Sequence, residues 1–207
     1  MSTGTMVGVG TIVLMFTSTA LAQGEHPWTA TIDLAAVQAA PAMVQGEERA
    51  ADPFTKGSWT LQTYGSFSFK DEGKGRIYAG HVGVGYYLED DFSINFEALG
   101  AAVDATLDDD GGAGGLDLVL RWHFWHRDRL TFFLDTAMGI QQATTEFPSD
   151  SHFNFRLMSG FGATLRLDDS LYPMSGIRYL HISNAGTSEV NDGLDAGMAY
   201  LGLMIPF

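Results

Sequence analysis

From Lys56 to Phe207, apolar and polar residues alternate in segments of about ten, separated by Gly, Asp and Ser. A period of two puts one set of side chains on each face of a strand. Trp59, Leu61, Thr63, Gly65, Phe67 and Phe69 share one parity, and Tyr78, Val82, Val84, Tyr86 and Leu88 form the next set. Phe92, Ile94, Phe96 and Ala98 oppose Asn95 and Glu97. Leu116, Leu118, Leu120, Trp122 and Phe124 oppose Asp117, Arg121 and His123. Leu130, Phe132, Leu134, Thr136, Met138 and Ile140 oppose Asp135. Phe153, Phe155, Leu157, Phe161, Leu165 and Leu167 oppose Asn154, Arg156 and Arg166, and two further strands fit 174–184 and 194–207. The total is about eight, each long enough to cross a tilted path through a bilayer.

Soluble sandwiches alternate too, but three features favour a membrane barrel. The apolar faces are rich in aromatics, as interface girdles require. The polar faces hold Asp117, Arg121, Arg156 and Arg166, which suit a closed, ion-paired lumen. The last strand ends on Phe207, as bacterial outer-membrane barrels end on an aromatic. The expected fold is all-β, an eight-stranded antiparallel transmembrane β-barrel. Both termini then face the periplasm. Short turns fall near Asp90, Arg127 and Asp169, and longer outer loops near Glu72, Asp109, Ser149 and Thr187.

The residues before the barrel divide in two. Val7 to Phe16 is a short apolar run, and Ala20-Leu21-Ala22 is an A-x-A cleavage site, so residues 1–22 read as a signal peptide. No Lys or Arg precedes the run, a departure from the usual pattern; the first is Arg49. Residues 23–55 are small and polar without sustained alternation, and read as a loosely ordered periplasmic leader. The expected location is the bacterial outer membrane. A formal net charge of −14 argues against nucleic acid as a partner. The absence of cysteine removes disulfides, thiolate metal sites and a thiol nucleophile.

Chemistry concentrates around the final outer loop, where Arg178-Tyr179-Leu180-His181-Ile182-Ser183-Asn184-Ala185-Gly186 leads to Asn191-Asp192-Gly193-Leu194-Asp195. His181 and Ser183 are two apart on a strand, so their side chains leave the same face roughly 6–7 Å apart at Cβ. An imidazole within reach of a hydroxyl can take its proton and make it a nucleophile. The imidazole needs a third group to fix its tautomer, and Asp195, across the hairpin, is placed to supply it. Parity counted back from Phe207 puts Ser183, His181 and Asp195 on the lipid-facing side. Polar groups there are costly; they make sense if the substrate is a lipid of the outer leaflet.

These residues resemble the signature of the lipid A 3-O-deacylase (PagL) family: a His-x-Ser-Asn-Ala-Gly run, a short loop with Asn-Asp-Gly, then an acid. The resemblance spans the barrel, but its specific part is the last thirty or so residues. It implies an outer-membrane hydrolase that removes the ester-linked acyl chain at position 3 of lipid A, with lipopolysaccharide of the outer leaflet as partner. It implies that Ser183 is the nucleophile and His181 the general base, with Asn184 and the Gly186 N–H as oxyanion hole. No cofactor or metal is required. Where the family has Glu, this chain has Asp195, one methylene shorter; Glu189 in the same loop is a second candidate at an offset that does not match. The alternative is a non-catalytic barrel with a structural or binding role, and the oligomeric state is left open.

Other clusters read as scaffold. His123 and His126, three apart on a strand, point to opposite faces at its periplasmic end. Gly111 to Gly115 lacks a following Lys-Ser/Thr, is no phosphate loop, and reads as a flexible outer loop. Asp108 to Asp110 is a candidate for a divalent cation bridging lipopolysaccharide phosphates.

Overall fold

The structure, a computed structural model, describes residues 52–69, 76–104, 111–148 and 150–207. The expected signal peptide, the expected leader up to residue 51 and the Asp108 to Asp110 cluster lie outside the described residues. Eight strands follow in order: β1 (Trp59–Phe69), β2 (Arg76–Glu89), β3 (Phe92–Asp104), β4 (Gly111–Arg127), β5 (Leu130–Ala143), β6 (Phe153–Leu165), β7 (Tyr172–Ser183) and β8 (Leu194–Pro206). Each pairs antiparallel with the next, and β1 closes on β8 from Thr60↔Pro206 to Phe69↔Gly197. Closure leaves no strand edge unpaired, the condition for a sheet to exist in lipid.

The alternation decides which way each residue faces. On β1, Thr60, Gln62, Tyr64 and Ser68 are buried, while Trp59, Thr63, Gly65 and Phe69 are exposed. Leu201 and Phe96 remain 69% and 67% exposed. In water such a surface would be a large apolar patch; against acyl chains it is the lipid face of a membrane barrel. Aromatics gather at the two rims. Trp59 packs against Tyr86 and Trp125 against Phe132 at one end, Phe67 against Tyr78 and Phe153 edge-on against Phe155 at the other.

The lumen is filled by charge. Asp135 takes Arg121 Nε at 2.7 Å and Arg178 Nη2 at 2.6 Å, and Tyr64 donates to Glu97 while accepting from Arg178. Asp117 receives Arg156 Nε at 3.0 Å. Low dielectric makes such pairs viable only when they hydrogen-bond on several sides, as Asp135 does through both oxygens. Arg166 was expected among them and is not: β6 ends at Leu165, so Arg166 sits exposed in the periplasmic turn. Its place is taken by Arg178, fully buried on β7.

The mouth of the barrel nearest the start of β1 is closed by the residues just before that strand. Phe54 packs its ring against His123 and His126, at centroid distances of 4.5 and 5.3 Å, and against Tyr87 and Tyr172. The two histidines therefore do not point apart. A bulge between His123 and Trp125 shifts the register of β4 and returns His126 to the mouth, where it meets Asp91 at 2.9 Å. Gly111 to Gly115 likewise is no loop. It forms the first five residues of β4, paired with Val103 to Leu99. Glycine is needed at Gly115, where a Cβ would come within 2.7 Å of the Ile140 carbonyl oxygen.

The turns β2–β3 and β4–β5 are two residues long, Asp90-Asp91 and Asp128-Arg129, whereas 184–193 forms a ten-residue loop between β7 and β8. That asymmetry orients the barrel, with the long loop at the outer surface.

Candidate active site

β7 and β8 bring the outer-leaflet residues together. His181 pairs directly across the hairpin with Asp195, and Tyr179 with Gly197. On β7 the odd residues Ile177, Tyr179, His181 and Ser183 face outward, and Arg178, Leu180 and Ile182 fill the lumen side. Asp195 also faces out, at 62% side-chain exposure. The expected lipid-facing parity holds for all three.

His181 Nδ1 lies 2.7 Å from Asp195 Oδ1. With that nitrogen engaged, Nε2 is the ring nitrogen left for a further partner. Asp195 is long enough to reach His181, so the missing methylene costs no contact. Glu189 is exposed in the loop, and the carboxylate on His181 is that of Asp195. No hydrogen bond joins Ser183 to His181 among the described residues; such bonds commonly tighten only when substrate is bound. Gly193, with φ +58°, lies against both: a Cβ there would stand 3.2 Å from His181 Cε1 and 3.8 Å from Ser183 Cβ.

Asn184 organises the loop. Fully buried, it receives Gly186 N–H on Oδ1 at 2.8 Å and donates Nδ2 to the Val190 carbonyl at 2.7 Å. Its own N–H donates to Asn191 Oδ1, and its carbonyl accepts from Thr187. Left-handed Ala185 and Gly186, at φ +53° and +79°, turn the chain over this hub. As the loop stands, the Gly186 N–H and one amide hydrogen of Asn184 are used inside it.

One contact was not foreseen. Tyr179 donates its hydroxyl to Asp195 Oδ1 at 2.5 Å. Parity alone puts Tyr179 on the same face; only the register of β7 against β8 reveals the diagonal approach to Asp195.

The apolar wall continues beside the site. Phe155 pairs with Ser183 and Leu157 with His181, and these meet Ile140 and Met138 on β5. Beyond them a shallow outer groove of about 280 Å³ is lined by Gly114, Leu116, Ile140 and Phe153.

A family model described as lipid A 3-O-deacylase (PagL) matches residues 55–204. No curated protein sequence matches the chain. Among solved structures, the outer membrane enzyme PagL is 15% identical with a TM-score of 0.57, over 68% of this chain and 97% of that one. Neisserial surface protein A (NspA) is 12% identical with a TM-score of 0.53, over 72% of this chain and 94% of that one. At these identities the structural likeness is one of fold, and the match to the family model runs from before β1 into β8. The chain is an outer-membrane β-barrel and belongs to the lipid A 3-O-deacylase (PagL) family.

Proposed function

We propose that this chain hydrolyses the ester at position 3 of lipid A by a Ser-His-Asp mechanism on the outer wall of the barrel. The observation that carries the reading is the outward-facing His181–Asp195 pair, one strand step from Ser183, at the outer end of a hairpin. A lipid-facing carboxylate and imidazole are expensive in a membrane. They are useful there if the scissile bond arrives with the lipid.

The Ser183 Oγ attacks the ester carbonyl carbon and passes its proton to His181 Nε2. Asp195 holds the ring by Nδ1 and balances the imidazolium that forms. The tetrahedral oxyanion collapses, the 3-hydroxyl of the sugar leaves with the His181 proton, and an acyl-serine remains. Water then attacks it, gives a proton to His181, and releases the fatty acid as Ser183 regains its hydrogen. Asn184 and Gly186 are the oxyanion donors of this proposal. Asn184 has a second amide hydrogen to offer, and Gly186 N–H would exchange Asn184 Oδ1 for the substrate oxygen. Donors of this kind are commonly worth several hundredfold in rate, on the order of 10²–10³.

The test is mass spectrometry of lipid A from cells expressing the wild type or Ser183→Ala. Loss of one hydroxyacyl mass with the wild type alone supports the reading. Intact lipid A with both, while the heat-modifiable barrel is present in the membrane, overturns it in favour of a non-catalytic barrel.

A further inference from the structure

The lumen holds one cluster that invites a ligand. His81, Glu97 and Asp117 are buried, and their candidate ligand atoms lie within 4.8 Å of one another. Each residue has one unpartnered atom: His81 Nδ1, Glu97 Oε1 and Asp117 Oδ2. Among the described residues, however, the buried carboxylates Glu97, Asp117 and Asp135 are already matched by Arg121, Arg156 and Arg178. A dication would leave two uncompensated positive charges in a low-dielectric interior, so this cluster carries no metal site. The outer wall carries more.

We infer that Tyr179 is a positioning residue for the His181–Asp195 pair, an inference that rests on the Ser183 reading above. Three observations converge. The Tyr179 hydroxyl and His181 Nδ1 both meet the same oxygen, Asp195 Oδ1, at 2.5 and 2.7 Å. Tyr179 lies one outward step closer to the membrane midplane than His181, so its ring stands among acyl chains while its hydroxyl reaches up to the carboxylate. Opposite Tyr179 on β8 is Gly197, so no β8 side chain blocks its lean towards Asp195. That gap is covered from the far side by Phe69, whose ring would come within 3.0 Å of a Cβ at Gly197.

A carboxylate on a membrane wall has few donors to choose from, and a short one has little freedom to find them. The phenol supplies a donor that stays protonated at neutral pH and is fixed by an apolar ring. It pins Oδ1 where His181 needs it. Without the hydroxyl, Asp195 Oδ1 is held less firmly against the imidazole, and the ring of His181 is less firmly oriented. Tyr179 touches neither the ester nor Ser183 in this scheme; it acts through Asp195.

The experiment uses the full barrel refolded in detergent, with heat-modifiability as the check on folding. Two rates are measured: deacylation of purified lipid A, and labelling of Ser183 by a fluorophosphonate, which reads nucleophile activation without lipid A recognition. The variants are Tyr179→Phe, Asp195→Ala and the double variant. Tyr179→Phe is expected to lower kcat about tenfold, the size typical of a lost hydrogen bond to a charged group. KM should stay within about twofold, and labelling should slow by the same factor as kcat. On the Asp195→Ala background the same change should do nothing further, because coupled residues are non-additive. The inference is overturned if Tyr179→Phe leaves both rates unchanged, raises only KM, or slows labelling equally when Asp195 is absent. A wild type that neither deacylates nor labels overturns the Ser183 reading, and this one with it. A wild type that does both, beside an indifferent Tyr179→Phe, overturns this one alone.

Discussion

Asp195 decides how His181 is held. The cross-strand pair places the two side chains face to face, and a 2.7 Å bond closes with aspartate. A glutamate at the same position carries one methylene more than this contact needs. Asp195→Glu is therefore expected not to raise kcat on purified lipid A, whereas Asp195→Ala should lower it by about 10²–10⁴. A tenfold gain with glutamate in that assay would show that the shorter acid is a handicap. Gly193 is the other sensitive residue. Its φ of +58° disfavours any Cβ, and the nearest atom to that Cβ is His181 Cε1 at 3.2 Å. Alanine there pushes the imidazole by a few tenths of an ångström. Gly193→Ala should cut deacylation about tenfold while the barrel still shifts on heating, since small displacements at a reacting centre are expensive.

At the scale of elements, the β7–β8 hairpin explains both what the sequence discloses and what it hides. Alternation makes the face of every residue legible, which is why Ser183, His181 and Asp195 can be placed outward from counting alone. Counting works because the side-chain period is two and both strands run without a bulge through the site. It fails on β4. There a bulge between His123 and Trp125 adds a residue, and everything after it changes face. Nothing in Trp122-His123-Phe124-Trp125-His126 announces that insertion. It also fails at the ends of elements. The glycines of Gly111 to Gly115 have turn composition, yet they pair in full with β3, and at Gly115 the Ile140 carbonyl comes too close for any side chain. Diagonal contacts such as Tyr179 to Asp195 depend on register and twist, which alternation does not encode. The loop hub at Asn184 is hidden for a related reason: its bonds run to backbone atoms whose positions follow from two left-handed residues.

For the whole molecule, the lumen is the keystone. Asp135 on β5 joins Arg121 on β4 to Arg178 on β7 and is reached by Tyr200 from β8, so one carboxylate ties four strands across the interior. Removing it leaves two buried guanidiniums without their shared partner. Asp135→Ala should lower stability by about 3–5 kcal/mol, read as a shift of the urea midpoint for loss of heat-modifiable migration. An unchanged midpoint would mean that lumen water replaces the carboxylate. The same packing leaves the outer wall as the place for the proposed chemistry, and this changes the concentration by which the reaction is counted. With Ser183 as the proposed nucleophile on the outer wall, the enzyme would meet its substrate by lateral diffusion within a single sheet of lipid. The concentration that matters is then the mole fraction of lipid A in the leaflet around the barrel. Inert amphiphile mixed into that sheet should slow turnover by surface dilution, even when the bulk amounts of protein and lipid A are held fixed.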